Sequence, residues 1–112
     1  MSNQGRLHIV LEAVKKYILE IEEKELYKKC NIEILIDSSD AYRVALQFDN
    51  CMGEIIVNQP DFAPYKHVKI EMLSSIDKEI KYIFVWHDNE KDTVEEILLN
   101  IKKGFDIAND YR

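Results

Sequence analysis

Asp88, Glu90 and Asp92 stand two residues apart in the stretch "HDNEKD", the spacing at which the first ligands of a calcium loop recur. The pattern fails at its next requirements. The sixth position is Thr93, where the sharp turn needs Gly, and the twelfth is Leu99, where a bidentate Glu belongs. A solvated turn leading into a helix cap explains the same residues. His8, His67 and His87 fall on three separate elements, so no two of them form a ligand pair by spacing. His8 near a helix start and His87 at a strand exit suit surface positions. Cys30 and Cys51 stand alone, outside any C-x-x-C, and reduced thiols are the expectation. Nucleophilic catalysis has no foothold: Ser38-Ser39 and Ser74-Ser75 lie in polar connectors without G-x-S-x-G, and neither cysteine has neighbours that would lower its pKa. Gly5, Gly53 and Gly104 are isolated, so no glycine-rich loop cradles phosphate. The chain reads as a non-enzyme with no metal and no cofactor; an enzyme whose site assembles only in space is the least favoured class.

The remaining chemistry is that of protein recognition. Residues 37–63 set five acids, Asp37, Asp40, Asp49, Glu54 and Asp61, against one base, Arg43, in a chain whose net charge is −6. Without a basic stripe to displace counterions, direct nucleic-acid binding is not expected, and a basic protein is the natural complement. Both prolines of the chain lie in "QPDFAPYKHV", with Phe62 and Tyr65 beside them. One reading is a connector stiffened to lose less entropy on folding, its aromatics tucked under a sheet. The other is a rigid loop presenting Asp61, Phe62 and Tyr65 to a partner at small ordering cost. The candidate surface is therefore Asp37, Asp40, Asp49, Glu54, Asp61, Phe62 and Tyr65, with Asp88 and Glu90 as a second patch.

The elements that must position these residues follow from periodicity. Leu7, Val10, Leu11, Val14, Tyr17, Ile18 and Ile21 keep the i, i+3, i+4, i+7 rule, which predicts an amphipathic helix running on toward Cys30, with Asn31 as its stop. A period of two then takes over. Ile32, Ile34 and Ile36 alternate with Glu33 and Leu35; Tyr42, Val44, Leu46 and Phe48 alternate with Arg43, Ala45 and Gln47. "DNCMG" turns into a strand over Glu54–Asn58, pairing the two flanking segments as a hairpin. His67–Leu73 alternates again. Tyr82–His87 is apolar on both faces, which predicts a strand that is central or covered on both sides, with Trp86 in the core. Asp92 with Glu95 reads as a capping box for a final helix whose stripe is Val94, Ile97, Leu98, Ile101, Phe105 and Ala108, ended or bent at Gly104.

The prediction is one α+β domain over residues 1–112: an antiparallel sheet of about five strands flanked by an N-terminal and a C-terminal helix. At 112 residues the chain can bury one core without staples. The first residues carry Glu12, Lys15 and Lys16 where a signal peptide needs an apolar run, and the longest apolar run, Tyr82–Trp86, is far short of the ~18 residues of a membrane span. A cytoplasmic protein without membrane contact is the expectation.

The layout "GEIIVNQPDFAPYKHVKIEM", followed by "KYIFVWHDNEKDTVEEIL" entering the last helix, resembles the immunity proteins of bacterial contact-dependent inhibition and other polymorphic toxin systems. The likeness covers roughly residues 42–108 and lies in layout and composition. It implies a stoichiometric inhibitor that binds a basic toxin domain, often a nuclease, and blocks its active site or substrate surface. The alternative is a small acidic chaperone or adaptor module that binds a protein client, acting as a homodimer; chaperones of that kind arrange their helices differently along the sheet.

Overall fold

A computed structural model describes residues 3–59 and 66–111. Pro60, Asp61, Phe62, Pro64 and Tyr65, and with them both readings of the proline-bearing connector, lie outside the described residues. The order is α1 (Asn3–Glu23), β1 (Asn31–Asp37), β2 (Tyr42–Gln47), β3 (Cys51–Val57), β4 (Val68–Ser74), β5 (Tyr82–His87) and α2 (Val94–Asp110). The five strands form one sheet in sequence order, every neighbouring pair antiparallel. This is the α+β architecture that the alternation of periods predicts. Among the described residues no helix is long and apolar enough to cross a membrane.

The stripe on α1 is buried as its spacing requires: Leu7, Val10, Leu11, Val14, Ile18 and Ile21 all leave water, each worth roughly 1.5–3 kcal/mol. They meet the inward row of the sheet, which includes Val44 and Leu46 of β2, Ile55 and Val57 of β3, and Ile70 and Met72 of β4. Helix α2 lies beside α1 on the same sheet face, against β4 and β5. Phe105 of α2 closes the core, stacked on Tyr27 with ring centroids 5.0 Å apart and edge-on to Phe48 at 6.0 Å. With both helices on one face, no helix among the described residues covers the other face of the sheet.

Several boundaries differ from the sequence reading, each for a local reason. Helix α1 stops at Glu23 rather than running on to Cys30. Leu26 N–H donates to the Ile21 carbonyl at 3.1 Å and Glu25 N–H to that of Glu22 at 3.2 Å, a Schellman closure with Glu25 at φ 49° in the left-handed position. The α2 cap is Thr93, not Asp92: Thr93 Oγ1 accepts from Glu96 N–H at 3.1 Å and Glu96 Oε2 accepts from Thr93 N–H at 3.4 Å. The box thus sits one residue further along than Asp92 and Glu95. Gly104 does not end α2, which runs on to Asp110. It is buried where the helix presses on the sheet, and a Cβ there would lie 2.8 Å from Ile70 Cδ1 and 3.0 Å from the Phe84 ring.

Strand β5 is an edge strand, not a central one. Its Phe84 and Trp86 lie opposite Met72 and Ile70 and pack partly buried against the core, while Tyr82 and Val85 face water. Its apolar character on both faces therefore does not report helices on both sides. In β1 a bulge at Leu35 breaks the alternation: Ile34 pairs with Val44 on the helix side, but Ile36 pairs with Arg43 on the open side. The three isoleucines of β1 do not share one face.

Candidate protein-binding surface

The ladder registers place fifteen residues on the open face in three rows that run across the strands. One row is Glu33, Ala45, Glu54, Glu71 and Val85; the next is Ile36, Arg43, Ile56, Lys69 and His87. The third is Asn31, Gln47, Met52, Leu73 and Tyr82. Carboxylates therefore line up in the middle row, with apolar side chains in all three rows. Exposed apolar groups on this face include Ile36, Met52, Tyr82 and Val85.

Glu54 and Glu71 are direct cross-strand partners, and like charges so placed repel. The neighbouring row offsets this. Arg43 donates through Nε and Nη2 to Glu54 Oε2 at 3.0 and 2.8 Å, and Lys69 Nζ lies 2.8 Å from Glu71 Oε1. The hydrogen bond to Glu71 raises the Lys69 pKa above the usual lysine value, against the opposing pull of burial. Glu33, opposite Ala45, stands exposed at the β1 end of the carboxylate row.

The antiparallel order separates the acids singled out from the sequence. The β1–β2 turn and the β5–α2 loop share one end of the sheet, so Asp37, Asp40 and Glu90 lie at that end. The β1–β2 turn and the β5–α2 loop are four strand spacings apart there, about 19 Å. Asp37 meets Lys15 Nζ of α1 at 2.8 Å. Asp40 accepts from Ser38 Oγ at 2.9 Å and so also braces its own turn. Asp49 is in the β2–β3 turn at the opposite end, exposed, 3.8 Å from Lys29, and does not join the others. Glu54 is on the open face between the two ends. Asp61, Phe62 and Tyr65 fall outside the described residues.

Asp88 requires a correction, because it is not on a surface at all. Its side chain is 0% exposed. Oδ1 accepts from the backbone N–H groups of His67 and Val68, both at 2.8 Å. Oδ2 lies 2.8 Å from Arg6 Nη1, though the approach is too oblique for an aligned hydrogen bond. The same Arg6 nitrogen donates to His67 Nδ1 at 2.8 Å, and Nη2 donates to the carbonyls of Asn89 at 2.9 Å and Asp92 at 3.2 Å. Asp88 thus ties the start of α1 to β4, to the end of β5 and to the loop before α2. Nothing in "HDNEKD" signals this, because its partners lie 20 residues or more away in sequence.

Sequence reasoning also missed Glu33 and Glu71. Both occupy the polar phase of their strands, which alternation could have shown, but only the register puts them in one row with Glu54. The cysteines carry little nucleophilic character: burial pushes the Cys30 thiol up to about 12 and raises Cys51 as well. Cys51 is buried, its Sγ donating to the Ala108 carbonyl at 3.3 Å. His8 and His87 are exposed and His67 is buried. Among the described residues no group of His, Cys, Asp and Glu is arranged to hold a metal ion. Comparison with protein-family models, with curated proteins and with solved structures returned no match to this chain.

Proposed function

We propose that the chain is a stoichiometric protein inhibitor of the immunity type, which takes a basic protein domain on the open face of its sheet. The observation that supports this reading is the row Glu33, Glu54 and Glu71 with exposed apolar side chains around it. Carboxylates on the docking face raise the rate of encounter with a basic partner, while apolar groups that become fully buried carry most of the affinity. Arg43 and Lys69 hold Glu54 and Glu71 in place before the partner arrives, which lowers the cost of ordering them. A nuclease domain, whose substrate surface is basic, fits this chemistry. The end of the sheet that carries Asp37, Asp40 and Glu90 adds acidic rim.

The test begins with the tagged protein in lysate of its native host, eluted by stepped salt. One basic domain recovered in equimolar amount, and silenced in its own activity by the purified chain, is the expected result. Its association with Glu33→Lys and with Asp40→Lys is then timed at low salt. Slower association with Glu33→Lys assigns the open face. Unchanged rates for both variants overturn the acidic docking surface. Recovery of many unrelated clients overturns the inhibitor reading in favour of a chaperone or adaptor.

A further inference from the structure

His67 is the one buried histidine of the chain, 1% exposed, and its Nδ1 lies 2.8 Å from Arg6 Nη1. A guanidinium donates hydrogen bonds and accepts none, so Nδ1 is the acceptor of this contact and carries no hydrogen. The ring is therefore neutral, with its proton on Nε2. Protonation would turn Nδ1 into a donor that faces a donor. It would also set a second cation against the first, in a place where burial already disfavours the charged imidazole.

The other charged groups at this joint do not relieve that conflict. From the turn after β5 comes Asp88, 0% exposed, and both of its oxygens are engaged. Oδ1 accepts from the N–H groups of His67 and Val68 at 2.8 Å, and Oδ2 lies 2.8 Å from the same Arg6 Nη1. The carboxylate of Asp92 is turned onto Asn89 N–H at 2.8 Å, while Lys66, beside His67 in the chain, is a further base. Strand β3 leads into Asn58, which is uncharged and donates its N–H to the His67 carbonyl at 2.9 Å. Among the described residues one buried carboxylate thus balances one guanidinium. A charged His67 would leave the cluster with an unbalanced positive charge.

Three segments meet here. Arg6 belongs to the first turns of α1, His67 precedes β4 and Asp88 follows β5. Through Nη2 the same arginine holds the carbonyls of Asn89 and Asp92, directly before the Thr93 cap of α2. We propose that His67 is an acid-sensitive latch: while neutral it helps Arg6 fasten the start of α1 to β4 and to the β5–α2 loop, and protonation releases that joint. None of Arg6, His67 and Asp88 belongs to the rows of the open face, so the latch stands whether or not the inhibitor reading does.

The direction of the pH dependence follows from the geometry. The unfolded chain takes up this proton near the ordinary imidazole value of about 6.5, and the folded chain resists it to lower pH. Stability from this group is complete above about pH 7.5 and is lost as pH falls through 6.5 toward the folded value. With the folded value one unit lower, the unfolding equilibrium constant rises about fourfold between pH 7.0 and 5.5. It rises about eightfold if the folded chain takes up no proton at all. This window lies above the ordinary carboxylate range near 4.

The test uses the full chain. Long-range proton–nitrogen correlation spectra of the imidazole rings, followed from pH 8 to 5, read the protonation state of each nitrogen directly. The expected result is a bare Nδ1 on His67 at pH 7 and a midpoint at least one unit below the ordinary value. His67→Asn places an oxygen near the position of Nδ1, so Arg6 keeps an acceptor that binds no proton. In urea unfolding at pH 7.0 and 5.5, the parent should lose four- to eightfold more in its folding equilibrium than this variant does. Circular dichroism checks that the variant is folded, and should it fail to fold, the ring spectra of the parent decide. A proton on Nδ1 at pH 7 overturns the proposal. So does a midpoint at or above the ordinary value, as a carboxylate counter-charge would give, or a variant whose folding equilibrium falls with acid as steeply as the parent's.

Discussion

Replacing Arg6 with Met removes the guanidinium while keeping much of the side-chain stem. Asp88 is left 0% exposed, with Oδ1 still held by two backbone N–H groups but with its nearest cation gone from Oδ2. Breaking a buried ion pair by deleting one partner costs about 3–5 kcal/mol. Arg6 is itself 18% exposed, so water can enter part of the vacated space and the lower end, about 3 kcal/mol, is expected. The Arg6 bonds to the Asn89 and Asp92 carbonyls are lost too, but those acceptors can turn to solvent and add little. For a domain of this length each kcal/mol moves the melting temperature by about 4 °C, so Arg6→Met lowers Tm by about 12 °C. Urea unfolding should show a lower midpoint with an unchanged slope. Arg6→Lys recovers less than half, because one ammonium cannot reach Asp88, His67 and two carbonyls together. In a double-mutant cycle with Asp88→Asn, the second substitution should cost much less in the Arg6→Met background than in the parent. A loss below 1 kcal/mol for Arg6→Met, or full additivity in the cycle, would refute the claim that Asp88 is a buried charge held by Arg6.

Two further predictions concern the helix ends. Glu25 holds the left-handed position that closes α1, which costs a side chain about 1 kcal/mol or more and costs glycine little. Glu25→Gly should therefore raise stability by about 0.5–1 kcal/mol in chemical unfolding despite the added freedom of the unfolded chain; a loss would show that the Schellman closure does not form. Asp106 of α2 bonds Tyr27 Oη at 2.6 Å and Lys102 Nζ at 2.8 Å. Burial alone would raise its pKa, but the hydrogen bonds from Lys102 and Tyr27 outweigh it and hold the carboxyl below the usual value. A depressed folded pKa contributes stability above the unfolded value, near 4, that is lost as pH falls through the folded one. The Tm gap between the parent and Asp106→Asn should accordingly be widest at pH 6–7 and narrow steadily toward pH 3, whereas a gap that is constant across the range refutes the linkage.

The sequence by itself determined the secondary structure and its order. The α1 stripe from Leu7 to Ile21 and the strict alternation from Tyr42 to Phe48 each match one period and no other, because the buried face of a helix or strand repeats with the geometry of its own backbone. The order of two helices bracketing five short strands then left an α+β sheet as the compact arrangement. Tertiary structure alone decided which residues stand together. Glu33, Glu54 and Glu71 are separated by some twenty residues each and share a row only because of the register between strands. The apolar run of β5 reads the same whether the strand is central or at an edge, since both demand one well-packed face. The bulge at Leu35 shifted Ile36 to the opposite side from Ile34, against the alternation of its own segment. Asp88 looked like one more surface acid, and its burial depends on Arg6, 82 positions earlier in the chain. Local pattern records how a segment folds on its own axis; the partner that compensates a charge, or covers a face, comes from a different segment, and no periodicity along the chain encodes that distance.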